Sequence, residues 1–235
     1  FESLPYSGTA FVNLDDKYIQ KMSTPCKRVE YSFVKPVEFH AQWSTDKQIL
    51  VINDTHIKLS NPSHVLGLNT LAVFSIASHL GIESRSIKNQ IESFQMPLGR
   101  GNLITIKDLT IINDSYNANL ESVKVGINNL IYQYTKKRKI AIIGDMLELG
   151  DKKMEHHKIL GKHLSNKNIN AVFAYGNLTR YTIHAMNGSG MFRQFYKDKT
   201  SLLIDLKEFL IEGDIIYVKG SRSMRMEEII QGLQD

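Results

Sequence analysis

Residues 139–150 read KIAIIGDMLELG, and the fold turns on how this stretch divides. After Lys139 come Ile140, Ala141, Ile142 and Ile143, and Gly144 stops the run. A short, continuous, largely β-branched run reads as a strand buried on both faces, as strands of a parallel sheet are. Asp145, Met146, Leu147, Glu148, Leu149 and Gly150 follow, before a helical pattern starts near Asp151. Open α/β sheets bind ligands just beyond the carboxyl ends of their strands. Asp145 and Glu148 stand there, although from this stretch alone two solvated loop carboxylates are the simpler reading.

Outward from this strand the pattern repeats. Strands are predicted at 103–106, Leu109–Asn113, 140–143, Ala171–Tyr175, Phe192–Tyr196 and 215–218. Between them lie stripes at helical spacing: Val123, Ile127, Leu130 and Ile131; Met154, His157, Leu160 and Leu164; Leu202, Leu203, Leu206, Phe209 and Leu210. Met226, Ile229, Ile230 and Leu233 make the last. Strict alternation predicts the α/β class, with a Rossmann-like, mostly parallel sheet covered on both faces.

Met96-Pro97-Leu98-Gly99-Arg100-Gly101 breaks both helix and strand, so the domains are expected at 1–96 and 97–235. Ahead of it Val29, Tyr31 and Phe33, then Phe39, Ala41 and Trp43, then Ile57 and Leu59 alternate with polar residues. That period predicts antiparallel strands with one wet face, parted by turns at Lys35-Pro36 and Asn53-Asp54. Asn61-Pro62-Ser63 punctuates. A helix should follow with Leu68, Leu71, Ala72, Ser75, Ile76 and His79 on one face, ending at Gly81. Ser84 is the expected cap of a second helix, striped by Ile87, Ile91 and Phe94.

With 235 residues, 42% of them hydrophobic, the chain can bury one large core or two modest ones. It has no apolar run near the roughly 18 residues of a membrane helix, and no basic, then apolar, leader at its start. A single cysteine, Cys26, excludes an internal disulfide and a multi-cysteine metal site, and fits a reducing cytosol. Net charge is +5, with a pI of about 9.1, which suits nucleic acid or a small anionic substrate. The densest run, Lys136-Lys137-Arg138-Lys139, ends a predicted helix, where cations complement the dipole. No aromatics alternate with the basic residues, so a solvated helix end is expected and no nucleic-acid partner.

Three motifs remain. Gly144 to Gly150 spell G-D-M-x-E-L-G; Asp114-Ser115-Tyr116-Asn117-Ala118-Asn119 ends another strand; and Val218-Lys219-Gly220-Ser221-Arg222 ends a third, followed by Met226-Glu227. On local chemistry alone Ser115 and Asn119 equally suit a turn held by side-chain-to-backbone bonds, and Asn119 a helix cap. Together, and in this order, the three strings resemble the Mur ligase family, in the branch that adds D-alanyl-D-alanine to UDP-N-acetylmuramoyl-tripeptide in peptidoglycan precursor synthesis. Leu120 stands where that family usually carries Pro, a change confined to the first helical turn. Gly8, Asn13, Asp15 and Asp16 match a G-x-x-x-x-N-x-D-D element, and Asn69-Thr70-Leu71-Ala72 an N-x-L-A string. His64 precedes Asn69 by five residues rather than four and receives no role.

The resemblance implies the end of a central ATP-binding domain, with antiparallel strands and two helices, followed by a C-terminal ligase domain. It assigns Asn69 to adenine, Arg100 to phosphate or ribose, Asp114 to ribose or a metal-bound water, and Asn119 to the nucleotide. Asp114, Asn117 and Lys219 are the implied catalytic group; Asp145, Glu148, Ser221 and Arg222 the implied substrate side. A guanidinium between glycines is a plausible bidentate phosphate ligand.

A phosphate loop, G-x-x-x-x-G-K-[ST], is missing; the nearest string, Gly161-Lys162-His163, lies inside a helical pattern. The resemblance therefore implies a piece of a cytoplasmic ligase that uses ATP and Mg²⁺ through an acyl phosphate. The phosphate loop, the UDP-binding domain and a carbamylated lysine would come earlier, and this chain alone is expected to be inactive. The resemblance assigns no metal ligand here. The rival readings are another ATP-dependent amide ligase, such as a folylpolyglutamate or cyanophycin synthetase, and a non-catalytic nucleotide- or peptide-binding module.

Overall fold

The computed structural model describes residues 1–44, 49–60, 63–188 and 190–234, and the chain packs as two compact units, Phe1–Gln95 and Met96–Asp235. The second unit carries β6 (Asn102–Ile106), β7 (Leu109–Asn113), α3 (Leu120–Gln133), β8 (Lys139–Gly144), α4 (Lys153–Leu164), β9 (Ala171–Tyr175), α5 (Thr179–Ala185), β10 (Phe192–Tyr196), α6 (Lys199–Phe209), β11 (Ile215–Lys219) and α7 (Glu227–Gly232); the first carries β1 (Thr9–Asn13), β2 (Lys27–Ser32), β3 (Phe39–Trp43), β4 (Ile49–Ile52), β5 (Thr55–Lys58), α1 (His64–His79) and α2 (Ser84–Ser93).

In the second unit the strand order is β10-β9-β8-β11-β7-β6. All neighbours are parallel except β6, which pairs antiparallel with β7. Every residue of β8 is buried, and the strand's period of two divides them between two cores. Ala141 and Ile143 join Val123, Ile127 and Leu130 of α3 and Leu160 and Leu164 of α4. Ile140 and Ile142 join Leu202 and Leu206 of α6 and Ile229 and Ile230 of α7. The β8 run is apolar throughout because it has no solvent face.

The basic run departs from expectation. Lys139 is 2% exposed, and its ammonium donates to the carbonyls of Tyr134 (3.2 Å) and Lys137 (2.7 Å). Burial holds its pKa below the ordinary lysine value. Arg138 pairs with buried Asp214 at 3.2 Å, donates to the Phe209 carbonyl and lies 4.2 Å over the Phe209 ring. Carbonyls past the last turn of α3 need donors, and Lys139 at the start of β8 turns inward to them, while Arg138 turns to Asp214 and Phe209. Only Lys136 and Lys137 of the four are exposed.

The first unit has the order β1-β2-β3-β4-β5. Only β3, β4 and β5 are antiparallel; β2 runs parallel to both β1 and β3. Alternation reports which face is buried and carries no information on a neighbour's direction. The short segment 33–38 suffices for a parallel return because β2 and β3 overlap only at Tyr31↔Phe39 and Ser32↔His40. Asp15 holds this corner, accepting from the Ser32 hydroxyl and, at 2.7 Å, from Phe33 N–H. Asp16 accepts from Tyr18 and Ile19 N–H, which lowers its pKa.

Helix α1 buries Gly67, Thr70, Leu71, Phe74 and Ser75, while Ile76 is exposed and His79 lies at the margin, edge-on to Phe11 and 3.2 Å from the Thr9 hydroxyl. Its sequence is apolar nearly all round, so spacing alone admits more than one stripe. Ser63 caps it through Leu66 N–H; Asn61 and Pro62 lie outside the described residues. Ser84 is the first residue of α2 rather than its cap, and Phe94 is exposed beyond its end.

Candidate active site

The carboxyl ends of β7, β8 and β11 carry Asp114, Asp145 and Lys219 to one edge of the second sheet, because the three strands are adjacent and parallel. Lys219 ends β11 with its side chain 4% exposed, and its ammonium lies 2.6 Å from Asp114 Oδ2. The same oxygen accepts the Tyr217 hydroxyl at 2.9 Å. Asp114 Oδ1 accepts no hydrogen bond among the described residues, and the side chain is 25% exposed. The pair is therefore half sealed: a buried cation fixes one carboxylate oxygen and leaves the other open. Burial, and then the charge of Asp114, raise the Tyr217 pKa far above the ordinary phenol value, so its hydroxyl stays a donor.

Arg100 is carried on a glycine turn fastened to the end of β7. Gly99 and Gly101 both hold positive φ, at 77° and 83°, conformations that cost glycine least. Gly101 N–H donates to the Asn113 carbonyl at 2.7 Å, and Tyr116 N–H to the Gly99 carbonyl at 2.9 Å, which tie the turn to the end of β7. A Cβ at Gly99 would come within 3.0 Å of Tyr116 N. The Arg100 guanidinium then stacks 4.1 Å over the exposed Tyr116 ring. It is held by a face contact, with its N–H edges available for an anion.

Most of the other expected residues are engaged within the protein. The Asp145 carboxylate is 5% exposed and accepts from Leu178 N–H (2.9 and 3.1 Å) and Thr179 N–H (2.8 Å), capping α5 from a different strand. Gly176 (φ 119°) makes this possible, since a Cβ there would lie 2.5 Å from the carboxyl carbon. Ser221 accepts from Leu147 N–H at 2.8 Å and donates to the Ala118 carbonyl at 3.4 Å, latching the β8 loop to the β7 loop. Asn119 forms a reciprocal cap with Ser122 at the start of α3. Asn117 accepts from Ala118 N–H and is exposed. Arg222 is exposed and pairs with Glu227 at 2.8 Å. Glu148 is exposed with φ at 60°. Asn69 belongs to the first unit, on the exposed side of α1.

Sequence reasoning passed over three residues of this edge. His157, read only as part of an apolar stripe, is fully buried; its Nε2 accepts from Met146 N–H at 3.1 Å and its Nδ1 meets the Lys153 carbonyl at 2.7 Å. Burial lowers its pKa, which suits the neutral tautomer those partners require. Tyr217 and Gly126 are the others: a Cβ at Gly126 would sit 1.9 Å from the Tyr217 oxygen. The unexplained interior glycine of α3 is the one signal in the sequence.

The profile of the family described as "Mur ligase, glutamate ligase domain" matches residues 99–222, more than half of the chain and a span holding Arg100, Asp114, Asp145 and Lys219. The chain belongs to the Mur ligase family. Among curated relatives, UDP-N-acetylmuramoyl-tripeptide–D-alanyl-D-alanine ligase of Bacillus subtilis is 33% identical over 174 residues, covering 71% of this chain and 37% of that protein. The ligase of the same name from Buchnera aphidicola is 37% identical over 169 residues, covering 70% and 35%. The solved structure of MurF ligase from Thermotoga maritima in complex with ADP is 20% identical, with a TM-score of 0.79 over 97% of this chain and 53% of that one. This Mur ligase chain thus aligns with about a third to a half of the length of these relatives. Among the described residues no helix is long and apolar enough to cross a membrane, and no group of three or more His, Cys, Asp or Glu could hold a metal ion.

Proposed function

We propose that this chain forms part of an ATP-dependent amide ligase that joins D-alanyl-D-alanine to UDP-N-acetylmuramoyl-tripeptide in the cytoplasm. The reading follows the names of its relatives. In the reaction a substrate carboxylate oxygen takes the γ-phosphoryl group of ATP and ADP leaves. The dipeptide amine then attacks the acyl carbon, phosphate departs and the amine loses a proton. Residues 1–96 would belong to the ATP-binding domain, with Asn69 on the adenine, and 97–235 would form the C-terminal domain.

One observation carries the reading for this chain: Asp114 keeps one oxygen clamped by Lys219 and Tyr217 and the other unpaired, while the Arg100 guanidinium lies over the ring of Tyr116, two residues along the same loop. Under the proposal Asp114 accepts from a ribose hydroxyl or a nucleotide-bound water, and Arg100 pairs with phosphate. Lys219 holds Asp114 in place, and Asn117 and Glu148 face the ligand from the neighbouring loops, where a carboxylate suits the dipeptide's ammonium. Asp145, Ser221 and Asn119 serve by holding those loops. Arg222 can exchange Glu227 for a substrate carboxylate. The chain offers no ligand cluster of its own for Mg²⁺ among the described residues, so the ion would arrive on the triphosphate, as Mg²⁺ usually does.

Calorimetric titration of the full-length native protein with ADP and Mg²⁺ tests this. Arg100→Ala and Asp114→Ala are each expected to weaken binding by about tenfold or more, the range of a lost charged hydrogen bond. The isolated 235-residue chain is expected to bind weakly and to release no phosphate with both substrates. Unchanged affinity in both variants would remove the nucleotide from this edge.

A further inference from the structure

Two donors meet at Asp114 Oδ2, and Lys219 is only one of them. Tyr217 lies ahead of the V-K-G-S-R string, and no motif singles it out. Its strand is central, paired with Ile112 of β7 on one side and Ala141 of β8 on the other, so the backbone position cannot drift. Its ring packs in the core beside α3, and the hydroxyl occupies the space a side chain at Gly126 would take. The ring is thus fixed from both ends, by strand pairing and by a glycine-shaped hole.

We propose that Tyr217 is a positioning residue for Asp114, its hydroxyl keeping Oδ2 turned to Lys219 so that Oδ1 remains offered to the ligand. A carboxylate gripped by a lysine alone can rotate, because an ammonium is a point charge that either oxygen satisfies. A second, directional donor from a rigid ring removes that freedom. The inference rests on the nucleotide reading of Asp114, and its test separates the two.

The experiment is a double-mutant cycle on the full-length native protein, titrating ADP with Mg²⁺ against wild type, Tyr217→Phe, Asp114→Ala and the double variant. Tyr217→Phe keeps the ring and its packing, and a thermal melt reports its fold. The expected result is a Kd about five- to tenfold higher in Tyr217→Phe, the size of a typical net hydrogen bond, and no further loss when Asp114 is already Ala. A hydroxyl that merely satisfies itself in the core would lower the melting temperature and leave Kd unchanged, which overturns the proposal. Equal losses with and without Asp114 also overturn it, since Tyr217 would then act by another route. If Asp114→Ala itself leaves Kd unchanged, the nucleotide reading falls and takes this inference with it.

Discussion

Two loops at the same edge of the same sheet use their motif residues in opposite ways. After β8, Asp145 turns back into the protein to cap α5, His157 takes the Met146 N–H and Ser221 the Leu147 N–H. Only Glu148 of that motif's charged residues faces solvent. After β7, Asp114 is gripped through one oxygen and open at the other, and the exposed Arg100 lies over Tyr116. The first loop is built to keep its shape, and the second to keep a functional group available. A motif therefore mixes two kinds of residue, and spacing alone does not tell them apart.

The sharpest way to break this contrast is Asp145→Ala. It leaves the N–H groups of half-buried Leu178 and buried Thr179 at the start of α5 without an acceptor, and is expected to cost about 2 kcal/mol or more of stability in a denaturant melt. A variant as stable as wild type but weak in substrate binding would move Asp145 to the ligand side.

The next effect is pH-dependent and comes from His157. Its folded pKa lies below the ordinary 6.5, through burial first, with His156 adding to the shift and the Lys153 carbonyl and Asp145 opposing it. Between the two values the unfolded chain holds the extra proton, so stability rises with pH there. The contribution is complete above about 6.5 and is lost as pH falls through the lowered folded value. His157→Gln can still accept from Met146 N–H without titrating. Melts at about pH 7.5 and 5.5, either side of an ordinary histidine pKa, should show a smaller acid loss in that variant than in wild type; equal losses would assign the titration elsewhere.

The smallest effect sharpens the comparison from the outside. Glu148 holds φ at 60° while exposed, a conformation that costs a non-glycine residue roughly 1 kcal/mol. Glu148→Gly should leave stability unchanged or raise it by up to about 1 kcal/mol and, if the proposed reaction holds, raise the KM for the amine substrate in the full-length protein. A clear loss of stability would show that the carboxylate holds the loop.

Much of the second unit was legible because the pattern there over-determines the answer. Residues 140–143 have no solvent face, so their run is apolar throughout and reads as a buried strand. The stripes of α3, α4 and α6 face sheet cores and show it. Helix α5 was not legible: Thr179-Arg180-Tyr181-Thr182-Ile183-His184-Ala185 has no stripe, and its N-terminus is capped by Asp145 from a distant part of the chain. The direction of β2 was hidden for a different reason, since alternation records burial and not the sense of a partner strand.

Legible in the chain alone were the alternation of strand and helix, the family and which residues reach the strand ends. These follow from local periodicity and from strings of neighbouring residues. Tertiary structure alone decided which of those residues remain available: that Asp145 is engaged by Leu178 and Thr179, that Lys139 turns inward to α3, and that Tyr217 shares Asp114 with Lys219. A polar group's role depends on which partner reaches it first, and here those partners arrive from the start of α5, the turn after α3 and β11, brought close only when the sheet assembles.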